Sequence, residues 1–506
     1  MTMPVHKNLA SLLEDHAAAS PERVLFIYND KEIRGAEIRE DVCRLTAALR
    51  SLRIERGSRV LLMLPNIPEY FIAYHAILRL GGIVVPVNVM LKERELHYLM
   101  DNCEAHAIVA PADCARDVLA AAESLDTMRQ IILLGDNLPK GTEALEKLIE
   151  NHESDETIAD VYPDDTAVIM YTAGTTGRPK GAELSHYNLM SNARAGVNLL
   201  KIKSRDRFIG VIPFFHAFGQ TAVMNTALAA GSSVVLLPRF EPEETMNAVQ
   251  KHGVSIFVAV PAMYSLILSH PGVNSFNFKS VKYCVSGGSA LKTELLKAFE
   301  ERFSSTILEG YGLSETTSVT TFNHIHRERR PGSIGTPIEG VEVKVVKDDE
   351  SEVLIGEVGE ITIRSEYLMK GYLNRPEATR QVMKGGWFHT GDLARVDEDG
   401  FLYIVDRKTD MIVKSGFNVY PREIEELLLD YPGIAEVAVI GVPDPVRGEA
   451  IKACIILRPG AQVTAADLAA YCRERLARYK CPRYVQFYQQ LPKSPAGRIL
   501  KMKLRP

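Results

Sequence analysis

The chain has 506 residues, more than one hydrophobic core usually holds, so two or more domains are predicted. Its composition, 46% hydrophobic and 24% charged, is typical of a water-soluble globular protein. A net charge of −5 and a pI near 6.3 give no reason to expect nucleic acid as a partner. The seven cysteines form neither a Cys-x-x-Cys pair nor a cluster with histidine, which argues against structural zinc and favours a reducing, cytoplasmic location.

The hydropathy predicts neither a leader peptide nor a membrane span. A polar helical pattern at 9–19 follows the amino terminus, and it lacks the apolar core of a signal peptide. The longest apolar stretch, 221–237, is interrupted by Asn225, Gly231 and two serines. It is too short and too polar to cross a bilayer.

Up to residue 337 the pattern alternates between short apolar runs and helical segments, as in layered α/β sheets. The first set, over 21–161, has a predicted helix at 69–80 and predicted strands at 60–64, 83–87, 107–110 and 130–134. Its polar, acidic end, 135–162, is predicted to be a solvated connection. The second set begins at Thr166, with predicted parallel strands at 234–238, 254–260 and 281–285.

The C-terminal part differs in pattern and in charge. Alternation with Gly and Asp turns over 341–405 predicts a small antiparallel β unit. From Arg407 to Pro506 there are 17 Lys and Arg against 10 Asp and Glu, a net of +7 that leaves −12 for the preceding part. Such a basic α+β module on an acidic body favours a mobile domain that faces an anionic ligand.

The predicted fold class is therefore α/β. It has a large N-terminal domain of two layered α/β subdomains plus a small β unit, and a small mobile α+β C-terminal domain. We place the domains at 1–405 and 411–506, with a hinge at 406–410.

The run Tyr171-Thr-Ala-Gly-Thr-Thr-Gly-Arg-Pro-Lys-Gly181 is a candidate phosphate-binding loop. Its central glycines accept unusual backbone angles, its threonines offer hydroxyl donors, and Lys180 adds a cation. A predicted strand end, 168–170, comes directly before it. The spacing does not fit the P-loop of nucleotide triphosphatases, and by itself the run is also compatible with a flexible surface turn.

With Ala182-Glu-Leu-Ser-His186 added, the run closely resembles the signature loop of the adenylate-forming superfamily, which contains acyl-CoA synthetases, peptide-synthetase adenylation domains and luciferases. The resemblance extends from about Leu9 to Lys501, with the motifs in the family's order. It implies an ATP-dependent acyl-CoA synthetase that uses Mg²⁺ and coenzyme A. A carboxylate attacks the α-phosphate of ATP to form an acyl-adenylate, and the coenzyme A thiol then attacks the acyl group.

The resemblance assigns roles along the chain. Thr172, Lys180 and Glu315 belong to the implied catalytic set, and Glu315 and Thr172 are the implied metal ligands, because magnesium takes hard oxygen atoms. The implied nucleotide-binding residues are Thr172, Thr175, Thr176 and Lys180 in the loop, Gly287, Gly288 and Ser289 beside the adenine, Gly310, Tyr311 and Gly312 around the base, Thr316 at the α-phosphate, and Asp392 and Arg407 at the ribose and phosphate.

Further implied roles concern the acyl substrate and coenzyme A. His216, Phe218 and Gly219 in Ile212-Pro-Phe-Phe-His-Ala-Phe-Gly219 are expected to position the carboxylic acid substrate. Gly416 and Phe417 are expected to line the pantetheine channel. At the hinge position, where the family commonly has Lys or Asp, this chain has Thr409, so the electrostatic control of hinge rotation is left open.

Arg498 is the most informative departure from the family pattern. In Leu491-Pro-Lys-Ser-Pro-Ala-Gly-Arg-Ile-Leu-Lys501 it stands where the family has its adenylation lysine. Arginine keeps the charge, but its planar fork does not replace a compact ammonium. Two hypotheses follow: Arg498 is catalytic and adenylates slowly, or this copy carries an altered residue.

The block Ser415-Gly-Phe-Asn-Val-Tyr-Pro421 resembles fatty-acyl-CoA ligases, so a medium- or long-chain fatty acid is the predicted substrate. An aryl or alicyclic acid fits the same motifs. Two other readings stay open, an enzyme that loads a carrier protein and a non-catalytic acyl-adenylate binder. No carrier domain follows Pro506, which weakens the carrier reading. Assembly as a homodimer is also left open.

Overall fold

The computed structural model describes residues 8–172, 179–414, 417–444, 448–476, 478–493 and 499–505. They form two compact units. The first unit consists of the described residues up to Glu342 and of Arg364–Phe388. The second consists of Val343–Ile363 and the described residues from His389 onward. The predicted hinge at 406–410 lies inside the second unit, and the predicted domain boundaries stay predictions. Among the described helices, none combines the length and the apolar character needed to cross a membrane.

Helices and strands alternate over most of the described chain. The helices are α1 Ser11–Ala19, α2 Gly35–Ser51, α3 Pro68–Arg79, α4 Glu93–Asn102, α5 Ala115–Ala122, α6 Leu145–Glu150, α7 His186–Leu200, α8 Thr226–Ala230, α9 Pro242–His252, α10 Pro261–Leu268, α11 Thr293–Phe303, α12 Pro376–Val382, α13 Pro421–Leu429 and α14 Ala465–Arg475. The strands are β1 Val24–Tyr28, β2 Lys31–Arg34, β3 Arg59–Leu62, β4 Ile83–Pro86, β5 Ala107–Pro111, β6 Gln130–Leu134, β7 Glu143–Ala144, β8 Thr166–Thr172, β9 Lys180–Ser185, β10 Arg207–Gly210, β11 Ser233–Leu236, β12 Ile256–Ala259, β13 Tyr283–Ser286, β14 Ile307–Tyr311, β15 Thr321–Phe322, β16 Thr336–Pro337, β17 Val341–Val346, β18 Val358–Ser365, β19 Gly371–Tyr372, β20 Met383–Lys384, β21 Trp387–Val396, β22 Leu402–Arg407, β23 Ile412–Lys414, β24 Phe417–Val419, β25 Ile434–Asp444, β26 Gly448–Leu457 and β27 Tyr484–Phe487.

Two large sheets form the framework of the first unit. One has eight strands in the order β19-β9-β8-β4-β3-β5-β6-β7, and the other has nine in the order β16-β15-β14-β13-β12-β10-β11-β1-β2. Strands β3, β4, β5 and β6 pair in parallel, and each is an apolar run, as expected where helices cover both faces of a sheet. The sheets bring the predicted loop and the predicted base-binding motifs to strand ends.

The first two strands differ from the sequence prediction, which grouped the segment from residue 21 with the first α/β set. Strand β1 instead pairs in parallel with β11 of the other sheet, with Phe26 opposite Val234. The reason is that sheet membership depends on pairing between distant segments, which local periodicity does not report.

The stretch 135–162 also differs from the predicted solvated connection. It contains β7, which pairs in parallel with β6, and the short helix α6. Leu145 and Leu148 of this helix are buried, because residues three apart lie on the same helix face.

The second unit carries two smaller sheets. In one, β21 and β22 pair antiparallel, with Asp392 opposite Arg407. In the other, β25 and β26 pair antiparallel along most of their length, β27 adds in parallel to β26, and α13 and α14 cover one face through Ile424, Leu428 and Leu468. Two α/β sheets, a small β sheet and an α+β unit confirm the predicted fold class, and the mobility of the C-terminal domain stays a prediction.

Candidate functional site

The candidate phosphate loop joins β8 to β9, which pair antiparallel. Thr172 is the last residue of β8 and stands directly opposite Lys180, the first residue of β9. The sheet register therefore holds these two predicted site residues side by side. Residues 173–178, which include Thr175 and Thr176, lie outside the described residues.

Glu315 lies beside the loop ends and accepts two hydrogen bonds from hydroxyl groups. The Thr172 Oγ1 donates to Glu315 Oε1 over 3.2 Å, and the Tyr372 hydroxyl donates to the same oxygen over 2.9 Å. The ammonium of Lys180 lies 4.9 Å from the centre of the Tyr372 ring, within cation–π distance. Thr172, Lys180 and Glu315, predicted from two separate motifs, are thus brought together.

Tyr372 is the member of this group that sequence reasoning missed. It lies 57 residues after Glu315, in a two-residue strand that pairs with β9 beside Ala182. Burial, and then the Glu315 carboxylate, raise the pKa of its hydroxyl, so Tyr372 acts as a neutral donor. Tyr372 reaches the site because β19 pairs with β9, a strand far away in the sequence. No sequence motif could therefore indicate this residue.

The chemistry of the group fits a magnesium ion that is shared with phosphate. Carboxylate and hydroxyl oxygens are the ligands Mg²⁺ accepts, and it usually takes only one or two from protein when phosphates supply the others. In the described ranges, no three His, Cys, Asp or Glu side chains are arranged to hold a metal ion without such help. Glu315 with Thr172 fits that division of ligands.

The predicted base-binding motifs lie at neighbouring strand ends, since β13 and β14 pair in parallel. At Gly288 φ is +79°, a conformation that side chains disfavour. At Gly312 a Cβ atom would stand 1.3 Å from the Ser318 carbonyl oxygen, so only glycine fits. Tyr311 is the last residue of β14, directly before Gly312, and its carbonyl oxygen accepts from the Thr320 backbone N–H over 2.9 Å.

The remaining residues of these two motifs have different surroundings. Gly287 is packed under the Phe218 ring, while Ser289 is exposed. A Cβ on Gly310 would stand 2.6 Å from the Phe322 ring. Thr316 is fully buried, and its hydroxyl donates to the Leu313 carbonyl over 3.0 Å, so its contact with an α-phosphate stays a prediction.

The predicted substrate residues lie where the chain enters a π-helix, Phe218–Asn225. Such helices are rare and often occur at functional sites. His216 precedes it, and its carbonyl accepts from the Gln220 N–H over 2.8 Å. Burial lowers the pKa of His216, which favours the neutral imidazole. Gly219 is buried against the backbone of Pro213, where a Cβ would lie 2.3 Å from the carbonyl oxygen.

In the second unit, the two predicted ribose residues are brought together. Arg407 Nε lies 3.2 Å from Asp392 Oδ1, across the paired strands β21 and β22. Asp392 is 5% exposed, and its backbone N–H donates to Thr390 Oγ1 over 3.1 Å. The guanidinium fixes the carboxylate and supplies positive charge next to it.

Thr409, at the predicted hinge, has charged groups on both sides. Lys408 Nζ lies 3.0 Å from Glu360 and 2.8 Å from Asp348. Arg505 Nη2 donates to the Thr409 carbonyl over 3.0 Å and lies 3.7 Å from Asp410. Charged side chains therefore lie around the predicted hinge position, although the residue at that position is an uncharged threonine.

Three predicted site residues can be followed only in part. Gly416 and Arg498 lie outside the described residues. Phe417 is described by its backbone, which pairs with Lys414 across β23 and β24. On either side of the segment that holds Arg498, Lys493 and Ile499 form an antiparallel bridge, and the Leu500 N–H donates to the Pro492 carbonyl over 2.8 Å.

Comparison with known proteins gives consistent results. Residues 13–373 match the model of the family described as AMP-binding enzyme, and residues 423–498 match the model of its C-terminal domain. A long-chain-fatty-acid–CoA ligase of Bacillus subtilis is 36% identical, over 99% of this chain and 94% of the relative. The crystal structure of the anthranilate CoA ligase AuaEII with anthranoyl-AMP is similar with a TM-score of 0.91 and 29% identity, over 99% of this chain and 97% of that one. ATP-bound MatB from Rhodopseudomonas palustris gives a TM-score of 0.91 and 29% identity, over 99% and 98%.

The matched family model covers more than half of the chain, and the geometry around Thr172 and Glu315 occurs in the part that it covers. The predicted resemblance is confirmed: this chain belongs to the AMP-binding enzyme family.

Proposed function

We propose that the chain is an AMP-forming carboxylate–CoA ligase that works through an acyl-adenylate. The observation that carries the proposal is the Glu315 carboxylate, which accepts from the hydroxyls of Thr172 and Tyr372 beside Lys180. This group stands at the two ends of the candidate phosphate loop, in a chain of the AMP-binding enzyme family. The ligase of Bacillus subtilis and the anthranilate ligase support coenzyme A as the acceptor.

In the first step a substrate carboxylate oxygen attacks the α-phosphorus of ATP. The bond from this phosphorus to the oxygen that bridges to the β-phosphate breaks, and pyrophosphate leaves. Lys180 and the Thr172 hydroxyl stabilise the negative charge of the phosphates. Mg²⁺ that enters with ATP would be held by Glu315 and Thr172 and would offset part of that charge.

Other residues hold the nucleoside. Tyr311 offers an aromatic face to the adenine, and the glycines around it leave room for a flat base. Asp392 accepts hydrogen bonds from the ribose hydroxyls, while Arg407 keeps its carboxylate in place. His216 is assigned to substrate positioning, because its neutral imidazole can donate one hydrogen bond without bringing a charge.

In the second step the coenzyme A thiol loses its proton to water, and its sulfur attacks the acyl carbon of the adenylate. The bond from this carbon to the AMP oxygen breaks, and AMP leaves. We assign binding of the pantetheine arm to Gly416 and Phe417. We propose that the C-terminal domain rotates about Thr409 between the two steps. Arg498 is proposed as the cation that serves the first step.

We propose a medium- or long-chain fatty acid as the substrate, with an aryl or alicyclic acid as the alternative. The similarity to the long-chain-fatty-acid–CoA ligase of Bacillus subtilis supports the fatty acid. The similarity to the anthranilate CoA ligase supports the aryl alternative.

The test is a panel of acids from six to eighteen carbons, with benzoate, ferulate and cyclohexanecarboxylate, each supplied with ATP, Mg²⁺ and coenzyme A. We expect AMP and acyl-CoA in equal amounts, with kcat/KM at least tenfold higher for a fatty acid than for any ring acid. A higher kcat/KM for a ring acid than for every fatty acid would overturn the proposed fatty acid substrate but leave the proposed ligase activity intact. Pyrophosphate exchange without acyl-CoA would point to a carrier-protein acceptor. An absence of both products would leave only a binding role.

A further inference from the structure

Helix α4 contacts the chain at both ends of the candidate phosphate loop and is fixed in the core of the first unit. Leu96, Leu99 and Met100 are buried among residues of the eight-stranded sheet, including Val85 and Ile108. The helix begins with a capping interaction, in which the Lys92 N–H donates to Glu95 Oε2 over 3.3 Å. A helix anchored in this way is a rigid support for whatever binds its other faces.

Tyr98 and Asn102 lie four residues apart on α4, so their side chains share one face of the helix. The Tyr98 hydroxyl donates to the Pro179 carbonyl over 2.8 Å, directly before Lys180. Asn102 Oδ1 accepts from the Tyr171 hydroxyl over 2.7 Å, directly before Thr172. One helix face therefore holds the chain on both sides of the loop, each time at the neighbour of a site residue.

The contact at Tyr171 also bears on the direction of Thr172. Successive side chains of a strand point to opposite faces, so fixing Tyr171 on one side directs Thr172 to the other, where its hydroxyl meets Glu315. The Tyr171 ring also packs over Gly181, where a Cβ would stand 3.3 Å from its Cζ.

Asn102 has a second connection to the site, through its backbone. Its carbonyl accepts from Asn374 Nδ2 over 3.2 Å, two residues after Tyr372. The C-terminal turn of α4 is thus joined to β8, to the residue before β9, and to the segment that carries the second hydroxyl on Glu315.

We propose that Tyr98 and Asn102 are positioning residues for ATP, which hold Thr172, Lys180 and Tyr372 in register with the triphosphate. Neither residue needs to touch the nucleotide. The inference rests on the proposed function, because it takes the loop to be the phosphate site.

The test compares Tyr98→Phe and Asn102→Ala with the unchanged chain in carboxylate-dependent ATP–pyrophosphate exchange and in ATP binding by calorimetry. Each variant is expected to raise the KM and the Kd for ATP at least fivefold, because the strand ends lose one fixed contact. The KM for the carboxylic acid, kcat at saturating ATP and the thermal unfolding midpoint are expected to stay near those of the unchanged chain. Asn102→Asp keeps an oxygen acceptor for the Tyr171 hydroxyl, so it is expected to restore the KM for ATP to within twofold.

Tyr187→Phe is the matched control. It removes from α7 of the same unit a hydroxyl that donates to Glu366 over 2.7 Å, away from the loop. The inference is overturned if Tyr98→Phe and Asn102→Ala leave the KM and the Kd for ATP within twofold of the unchanged chain. It is also overturned if the KM for the acid rises while kcat and the unfolding midpoint fall, because that pattern indicates general damage to the fold. An unchanged chain that binds no ATP would overturn the proposed function as well, and the calorimetry distinguishes the two failures.

Discussion

The two groups of candidate site residues are held in different ways. Around the phosphate loop, in the first unit, the contacts come mainly from hydroxyl groups: Thr172 and Tyr372 on Glu315, Tyr98 on Pro179, and Tyr171 on Asn102. Around the predicted ribose residues and the predicted hinge, in the second unit, they come mainly from ion pairs: Arg407 with Asp392, Lys408 with Glu360 and Asp348, and Arg505 with Asp410.

The difference fits the charges that each group is proposed to meet. Neutral donors leave Glu315 its negative charge for a metal ion, because no Lys or Arg cancels it at hydrogen-bond distance among the described residues. The ion pairs of Lys408 with Asp348 and of Arg505 with Asp410 are partly exposed, and such pairs are weak and open easily, which suits a position that is proposed to rotate. The first group is therefore expected to be rigid and costly to change, and these two ion pairs at the predicted hinge are expected to tolerate change.

The largest effect is expected for Glu315→Gln, which keeps the shape and removes the charge. We expect the rate of ATP–pyrophosphate exchange to fall about a hundredfold or more, because a metal ion contributes several kcal/mol of charge stabilisation. Glu366→Gln, on an exposed carboxylate that accepts from Tyr187, is the control and is expected to stay within twofold. If the exchange rate of Glu315→Gln stays within threefold of that of the unchanged chain, Glu315 is not a metal ligand.

Tyr372→Phe is expected to have the next largest effect, a loss of about tenfold in kcat/KM for Mg-ATP. A hydrogen bond to a charged group contributes about 1.5–3 kcal/mol, and the variant removes one of the two hydroxyls on Glu315. The phenylalanine keeps an aromatic ring beside Lys180, so a loss of activity would be caused by the missing hydroxyl group. Raising the magnesium concentration is expected to recover part of the activity, and a loss that magnesium leaves unchanged would argue against this role.

Arg498→Lys is expected to raise the rate of pyrophosphate exchange about fivefold. The compact ammonium matches the position of the family's lysine better than a planar guanidinium does. Arg473→Lys, on α14, is the control for a general effect of exchanging arginine for lysine. If Arg498→Lys brings no gain, the arginine is not the limitation.

The smallest effect is expected at the hinge, for Arg505→Gln. The variant loses a partly exposed ion pair with Asp410 and weakens the bond to the Thr409 carbonyl, and such pairs contribute up to about 1 kcal/mol. We expect the ratio of thioester formation to adenylate formation to change two- to threefold, measured as separate single-turnover reactions. Arg475→Gln, whose partner Glu474 is on its own helix, is expected to leave this ratio unchanged. An effect as large as that of Tyr372→Phe would contradict the contrast between the two groups.

How much the sequence predicts depends on how local the information is. The loop, Glu315 and the pair Asp392 and Arg407 each lie in a short motif, so they could be found before the structure was known. Tyr372, Lys408 and Arg505 could not, because their contacts with Glu315, Glu360 and Thr409 join distant segments. The same limit explains the fold, in which most strand positions were predicted but the pairing of β1 with β11 was not.

That pairing has a consequence for synthesis on the ribosome. Val24, in the first strand, accepts a hydrogen bond through its carbonyl from Ser233, which is 209 residues later. At about 5–20 residues per second, the nascent segment waits about 10–40 s before its partner is made. During this interval the apolar strand Val24-Leu-Phe-Ile-Tyr28 can pair only with the neighbouring β2, and its other edge has no partner, so the growing polypeptide is a natural client for a chaperone that shields such edges.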